Sequence, residues 1–258
     1  MNVPDDGVPA GTTDPKITIP LTMIDLLTPE LTVDRPPKGG DAARYVRSYL
    51  IMRLFIGALG VALPLVLVLC DGVLFGLHPF PRDSLSAYYY SSARELFVGA
   101  LCATGVFLIT YKVADRTLDN TLSIVAGAAA LIVALFPTGR ADHVQPLTPL
   151  QDRLGETVVQ TIHFGAAALF ILSLGVICYF FGIREGARAP RPGKRSPEFW
   201  RHYHWLCAGG IAAAVTWIAI TQISGEPRTS LLFGEWAAAW AFGASWFMKG
   251  LELDFLRR

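Results

Sequence analysis

Charge is what this chain has least of. Only 17% of its 258 residues are Asp, Glu, Lys or Arg, against about 25% in soluble domains. The formal net charge is +1, and the short basic stretches adjoin apolar runs, so nothing supports nucleic-acid recognition. Cysteine is sparse as well. Cys70, Cys102, Cys178 and Cys207 are scattered through different apolar runs without CxxC spacing, and they read as small buried hydrophobes rather than disulfide or zinc ligands. No GxxxxGK[ST] loop, no GxGxxG after a strand and no HExxH or HxxxH pair occurs, so nucleotide cradles and the common zinc motifs are missing. No cofactor is expected. The first forty residues contain no apolar core of the length a secretory signal requires.

What is present is hydrophobicity in blocks. Over half of the chain is apolar, and it is clumped into runs at Leu54–Cys70, Leu96–Tyr111, Leu122–Phe136, Val158–Ile183, Trp205–Ser224 and Leu231–Met248. About 20 apolar residues cross a bilayer core as a helix, and lipid tolerates only helices or closed barrels. The runs are rich in Ala and Leu and do not alternate, which argues against a barrel. The expected fold is therefore all-α: a polytopic bundle of six transmembrane helices, at about 49–70, 93–111, 120–136, 157–183, 205–224 and 231–248. The positive-inside rule orients it. Of the 22 Lys and Arg residues, only Arg82, Arg94, Arg140, Arg153 and Arg228 fall on one side. The remainder fall on the other, which places both termini in the cytoplasm.

Residues 1–43 form a separate tail. Seven prolines interrupt it, and disorder is the expectation, although the apolar segment 17–27 is suited to docking on a membrane or on the bundle. Residues 44–258 form the six-span domain. The basic stretch REGARAPRPGKR at 184–195 sets topology and is placed to attract anionic lipid. Gly99 with Ala103, and Gly234 with Ala238, are small-xxx-small pairs suited to close helix contact within the bundle or in a homo-oligomer.

The most informative stretch is SLSAYYYSSARELFVGAL, residues 84–101. Ser92 to Glu95 fits a capping box, with a helix starting near Ala93, and Tyr88, Tyr89 and Tyr90 suit the outer interface. Arg94 and Glu95 then lie at the hydrocarbon rim, where charges pair or face a wet cavity. Candidate partners cluster at the same end. Asp152, Glu156, Gln160 and His163 share one helix face by spacing, with His163 about 10 Å deeper than Glu156 at 1.5 Å per residue. Glu235 and Trp236 open the last run, and Thr221, Gln222, Ser224 and Glu226 close the fifth. The inner halves of the runs carry almost no polar residues. These positions predict an outward-facing polar pocket built from Ser86, Tyr88, Tyr89, Arg94, Glu95, Glu156, Gln160, His163, Glu235 and Trp236, walled by the second, fourth, fifth and sixth spans. The alternative is a set of braces that lock the helices, Arg94 to Glu235 among them.

Two enzymatic chemistries are weighed against these residues. A zinc hydrolase needs about three ligands and an activated water; His78, His143 and His163 are the candidates, but their spacing is not diagnostic and no resident metal is expected. A pair of Ser86 and His163 is suited to acyl transfer with Glu235 or Asp142 as orienter, although no GxSxG accompanies it. His163 is alternatively a proton site. The RHYH run at 201–204 reads as an interfacial cluster.

Several segments in order, the 84–101 stretch, GVFLITYK, LIVALFPT, HFGAAALF and FGEWAAAWAFGASWFMKG, resemble a group of uncharacterised bacterial multi-pass membrane proteins. The resemblance implies a six- or seven-span integral membrane protein of the bacterial inner membrane and marks Ser86, Tyr88, Tyr89, Arg94, His163, Glu235 and Trp236 as signature positions. A histidine commonly follows the two tyrosines in that pattern; here the position is Tyr90, which removes one potential metal ligand. The favoured function is a non-enzymatic pocket for a small polar ligand, a lipid headgroup or a proton-coupled solute. The alternatives are an outer-leaflet hydrolase acting on a lipid or amphiphile, and a structural or partner-binding membrane subunit.

Overall fold

The computed structural model describes residues 39–74, 81–110, 118–140, 145–190, 192, 195–225 and 229–251. Contacts divide the chain into Met1–Ala42 and Ala43–Arg258. The site lies wholly in the second unit, and the 17–27 segment lies outside the described residues.

Among the described residues every regular element is helical. There are seven α-helices: α1 (Gly39–Val68), α2 (Arg94–Thr110), α3 (Leu118–Leu135), α4 (Pro149–Leu154), α5 (Glu156–Gly186), α6 (Pro197–Ser224) and α7 (Thr229–Leu251). A π-helical turn, Leu69–Leu74, extends α1, and a 3-10 turn, Ser86–Tyr90, precedes α2. Three stretches are long and apolar enough to cross a membrane: Leu50–Leu74, Glu156–Gly186 and Pro197–Ser224. Asn120–Leu135 is apolar but shorter. These helices point to a membrane protein. Their outward faces agree, because Phe55, Leu206, Trp217 and Ile223 are all more than half exposed, and a soluble surface rarely gathers so much apolar area.

Local chemistry explains the helix ends. Thr148 and Gln151 close a reciprocal capping box on α4. At Gly155 the backbone turns to φ 89°, a conformation that favours glycine, and this separates α4 from α5. Asp152 and Glu156 therefore stand on two different helices, and the single face expected from their spacing does not form. Ser196 caps α6 by accepting the Phe199 N–H, Pro197 follows at the first helical position, and Gly225 ends α6 in the left-handed region. The capping box expected at Ser92 is absent. The Ser92 hydroxyl donates to Asp71 at 2.9 Å, and Ser91 accepts the Ala93 N–H instead. A hydroxyl makes a stronger hydrogen bond to a carboxylate than to a neutral backbone group, so the bond to Asp71 prevails over the cap.

The helices pack in sequence order around a centre. α2 lies on α3, α3 on α5, α5 on α6, and α6 on α7. α7 closes onto α1 through glycines, since a Cβ on Gly243 would meet the Gly57 carbonyl at 2.8 Å. Gly105 and Gly127 bring α2 and α3 equally close. Gly234 meets Ile218 of α6, as a small residue at an interface should, but a Cβ on Gly99 would meet nothing within 4 Å among the described residues. One apolar cluster, around Phe181, Phe242 and Trp246, holds one part of the bundle. A second, around Leu67, Tyr88, Phe97, Leu101 and Leu232, joins α1, α2 and α7 to the 3-10 turn.

Candidate functional site

Between the helices lies a cavity of about 110 Å³. Leu63 of α1, Phe97 and Leu101 of α2, Phe170 of α5, Ile211 of α6 and Phe242 of α7 form most of its wall. Ser86, Thr104 and Glu235 supply the polar groups. The pocket is thus mainly apolar, where the sequence led us to expect a polar one, and its walls include α1 and α3 as well as the four expected spans. Thr221 is buried and turns its hydroxyl to the Ile218 carbonyl; Gln222 and Ser224 are exposed. Among the described residues, the polar end of α6 contributes nothing to the wall.

The expected site residues separate into three groups. Ser86 and Glu235 line the cavity, and His163 lies behind Ser86. His163 is buried on α5, and its Nδ1 lies 2.6 Å from the Phe136 carbonyl oxygen. A carbonyl can only accept, so Nδ1 carries the proton and Nε2 is left as an acceptor. The Ser86 hydroxyl, 2.9 Å from Nε2, therefore donates to the imidazole. Glu235 accepts the Leu85 N–H at 2.5 Å, one residue before Ser86.

Tyr88, Tyr89 and Trp236 belong to the packing around this group. Tyr88 and Tyr89 are buried in the second cluster, and Trp236 packs against it and meets Trp240 edge to face. Burial pushes the Tyr88 phenol above its usual range, with the nearby Asp71 carboxylate acting in the same direction. Burial likewise raises Tyr90, so both stay neutral at physiological pH.

Arg94, Glu95, Glu156 and Gln160 lie outside the cavity. Arg94 and Glu95 are exposed. The Arg94 guanidinium donates to the Tyr89 hydroxyl at 2.8 Å and sits 4.3 Å from the ring centroid. It does not reach Glu235. Glu156 is held by Arg140, through the backbone N–H and both sides of the guanidinium fork. Gln160 packs against Gly139, where any Cβ would meet its amide at 2.7 Å. His78, His143, Asp142 and Glu226 lie outside the described residues. Among the described residues no three His, Cys, Asp or Glu side chains gather to hold a metal.

Sequence reasoning missed the groups that fix the loop carrying Ser86. Asp71 is 2% exposed and binds Arg82 at 2.7 Å, while the Arg82 backbone N–H points to the Tyr88 hydroxyl. Gln151 donates to the Tyr90 hydroxyl at 2.7 Å, and that hydroxyl donates to the Thr138 carbonyl. Gln145 donates to the Tyr90 carbonyl. None of these pairs follows a helical repeat, because they join a loop to its neighbours.

The opposite end of the bundle is not featureless either. Arg53, Glu185, His204, Ser245 and Lys249 are all buried. Glu185 pairs with Lys249 and Arg188, and His204 shares a hydrogen bond of 2.8 Å with Ser245. His202 of the RHYH run stays exposed on its own helix. Arg53 and Lys249 border the apolar runs, which is why they read as topology signals rather than interior groups. In comparison with known proteins, no family model, curated protein or solved structure matches this chain.

Proposed function

We propose that the chain is a six-span protein of the bacterial inner membrane with both termini in the cytoplasm, and that its central cavity binds a small amphiphile. The span count rests on α1, α2, α3, α5, α6 and α7, which coincide with the six apolar runs. The orientation rests on the uneven distribution of Lys and Arg. The resemblance of the 84–101 and 233–250 segments to bacterial multi-pass membrane proteins supports the location. A single cysteine introduced at Ser196, in a variant with the native cysteines replaced, is expected to resist an impermeant maleimide added to sealed, right-side-out spheroplasts. Rapid labelling from outside would reverse the orientation.

Glu235 carries the ligand assignment. It is the one carboxyl among the described residues that line the mainly apolar cavity, and its hydrogen bond there comes from the Leu85 N–H. A half-buried carboxyl in such a wall has a second oxygen to offer to a donor or a cation. An amphiphile with a cationic or hydrogen-bond-donating head supplies one while its apolar body fills the space bounded by Phe97, Phe170 and Phe242. The volume suits a body of about benzene size, hence a short chain or the end of a longer one.

The test is a titration of the protein in nanodiscs with hexylammonium and with hexyl sulfate, followed by intrinsic tryptophan fluorescence. The cation is expected to bind and the anion to fail. Glu235→Gln should weaken the cation by about tenfold or more, from the 1.5–3 kcal/mol of a charged hydrogen bond. Equal binding of both probes, unaffected by the substitution, would refute the assignment.

A further inference from the structure

The loop before α2 contains four serines, and three are occupied by structure. The Ser84 hydroxyl accepts the Ala87 N–H, Ser91 donates to the Tyr88 carbonyl, and Ser92 donates to Asp71. Ser86 differs in both respects that matter for reactivity. Its hydroxyl donates to an imidazole nitrogen, and the residue lines the cavity whereas His163 does not. The serine that lines the cavity is thus also the one bonded to a base.

The imidazole is also oriented. The Phe136 carbonyl holds the Nδ1 proton at 2.6 Å, which keeps the lone pair of Nε2 on Ser86. A nucleophilic serine needs this arrangement: a base within hydrogen-bond reach, itself fixed by a third group. His163 is 1% exposed and Ser86 is 7% exposed, so the cavity that Ser86 lines is the route by which both an ester and a hydrolytic water reach the pair. The third group is supplied by the protein backbone, a contact that sequence spacing alone does not reveal.

We propose that Ser86 is a nucleophile activated by His163, and that the cavity is the acyl site of a hydrolase for small amphiphilic esters. The inference rests on the cavity reading above and adds a reaction to it. Ser86 Oγ forms a bond to the ester carbonyl carbon while its proton passes to His163 Nε2. The tetrahedral adduct then collapses, the bond from carbon to the alcohol oxygen breaks, and the alcohol leaves with the proton from Nε2. Water next attacks the acyl carbon and gives a proton to Nε2. The bond to Ser86 Oγ breaks, the serine regains that proton, and a carboxylic acid is released. Glu235 is fastened to Leu85, the residue before Ser86, so it meets the head of the ester at the same end of the cavity. The apolar wall receives the acyl chain, and its small volume selects short chains.

The experiment uses the full chain in nanodiscs and a small alkyl fluorophosphonate, with the adduct located by peptide mass spectrometry. A single adduct on Ser86 is expected, absent in Ser86→Ala and formed at least about 100-fold more slowly in His163→Gln, the contribution of a positioned general base. The glutamine can still accept the serine hydrogen bond but cannot take its proton, so a merely structural bond would leave the rate unchanged. Hexylammonium binding in both variants reports that the cavity is intact. No adduct on Ser86 of the wild-type protein, an equal rate in His163→Gln, or equal labelling of Ser84, Ser91 and Ser92 would overturn the proposal. Retained hexylammonium binding in such a case leaves the cavity reading standing, and loss of amphiphile binding with labelling intact would remove that reading instead.

Discussion

Lys249→Met is expected to destabilise the protein by about 3–5 kcal/mol, the usual consequence of breaking a buried ion pair from one side. Lys249 Nζ pairs with Glu185 Oε1, and the two side chains are 4% and 3% exposed. The pair ties α7 to α5 at the end of the bundle away from the cavity. Without the lysine, Glu185 keeps Arg188, whose side chain is 34% exposed and cannot replace a dry partner fully. Glu185→Leu should also destabilise the protein, because it removes the carboxylate that Lys249 Nζ meets inside the bundle. The double variant Glu185→Leu/Lys249→Met should recover most of the loss, because apolar residues of similar volume need no solvation. Unfolding in mixed micelles of increasing SDS content measures all four proteins. If the single costs simply add in the double variant, the pair is not a coupled brace.

Asp71→Ala should have the second large effect, about 3 kcal/mol from a buried ion pair broken on one side, and its consequence reaches the site. Asp71 receives Arg82 from one flank of the 3-10 turn and Ser92 from the other. One carboxylate at the end of α1 thereby holds both ends of the segment that carries Leu85 and Ser86. Removing it strands the Arg82 guanidinium, which is only 17% exposed, and frees the turn. Hexylammonium binding should weaken in parallel with stability, and limited proteolysis should cut within residues 82–92, where the wild-type protein resists. A variant with unchanged stability and an uncut loop would show that the apolar contacts of Tyr88 and Tyr89 suffice without the latch.

Both variants concern residues that the linear pattern describes only as borders. Asp71 ends the first apolar run, and Lys249 ends the last. A charge at such a border marks where hydrocarbon stops, but its spacing does not tell whether it faces water or a neighbouring helix. The tertiary packing turned both inward. The same ambiguity worked in the opposite direction for Arg94 and Glu95. They looked like pocket residues because they sit at the mouth of α2, yet both face outward, with Arg94 resting on Tyr89. Glu156 was legible as a rim carboxylate, but its partner Arg140 comes from a loop whose path no repeat encodes.

Ser86, His163 and Glu235 were legible as polar residues at one end of their apolar runs. That much follows from the hydropathy of the runs and from where polar residues can sit in a helix within lipid. Their joining was not legible. Ser86 is separated from His163 by 77 residues, and Leu85 from Glu235 by 150. Only the order in which helices neighbour one another brings such positions together.

Local order along the chain dictates the helices, because each apolar run needs intrahelical hydrogen bonds wherever it is removed from water. It also dictates the breaks, through Gly155, Ser196 with Pro197, and Gly225. Packing decided the rest. Close approach at Gly57 with Gly243 and Gly105 with Gly127 set which faces meet, and those faces left an apolar cavity with one carboxylate and one serine–imidazole pair in or behind its wall. Helix formation is a property of neighbours in sequence, whereas a cavity depends on the shapes of surfaces that meet only after the helices have formed.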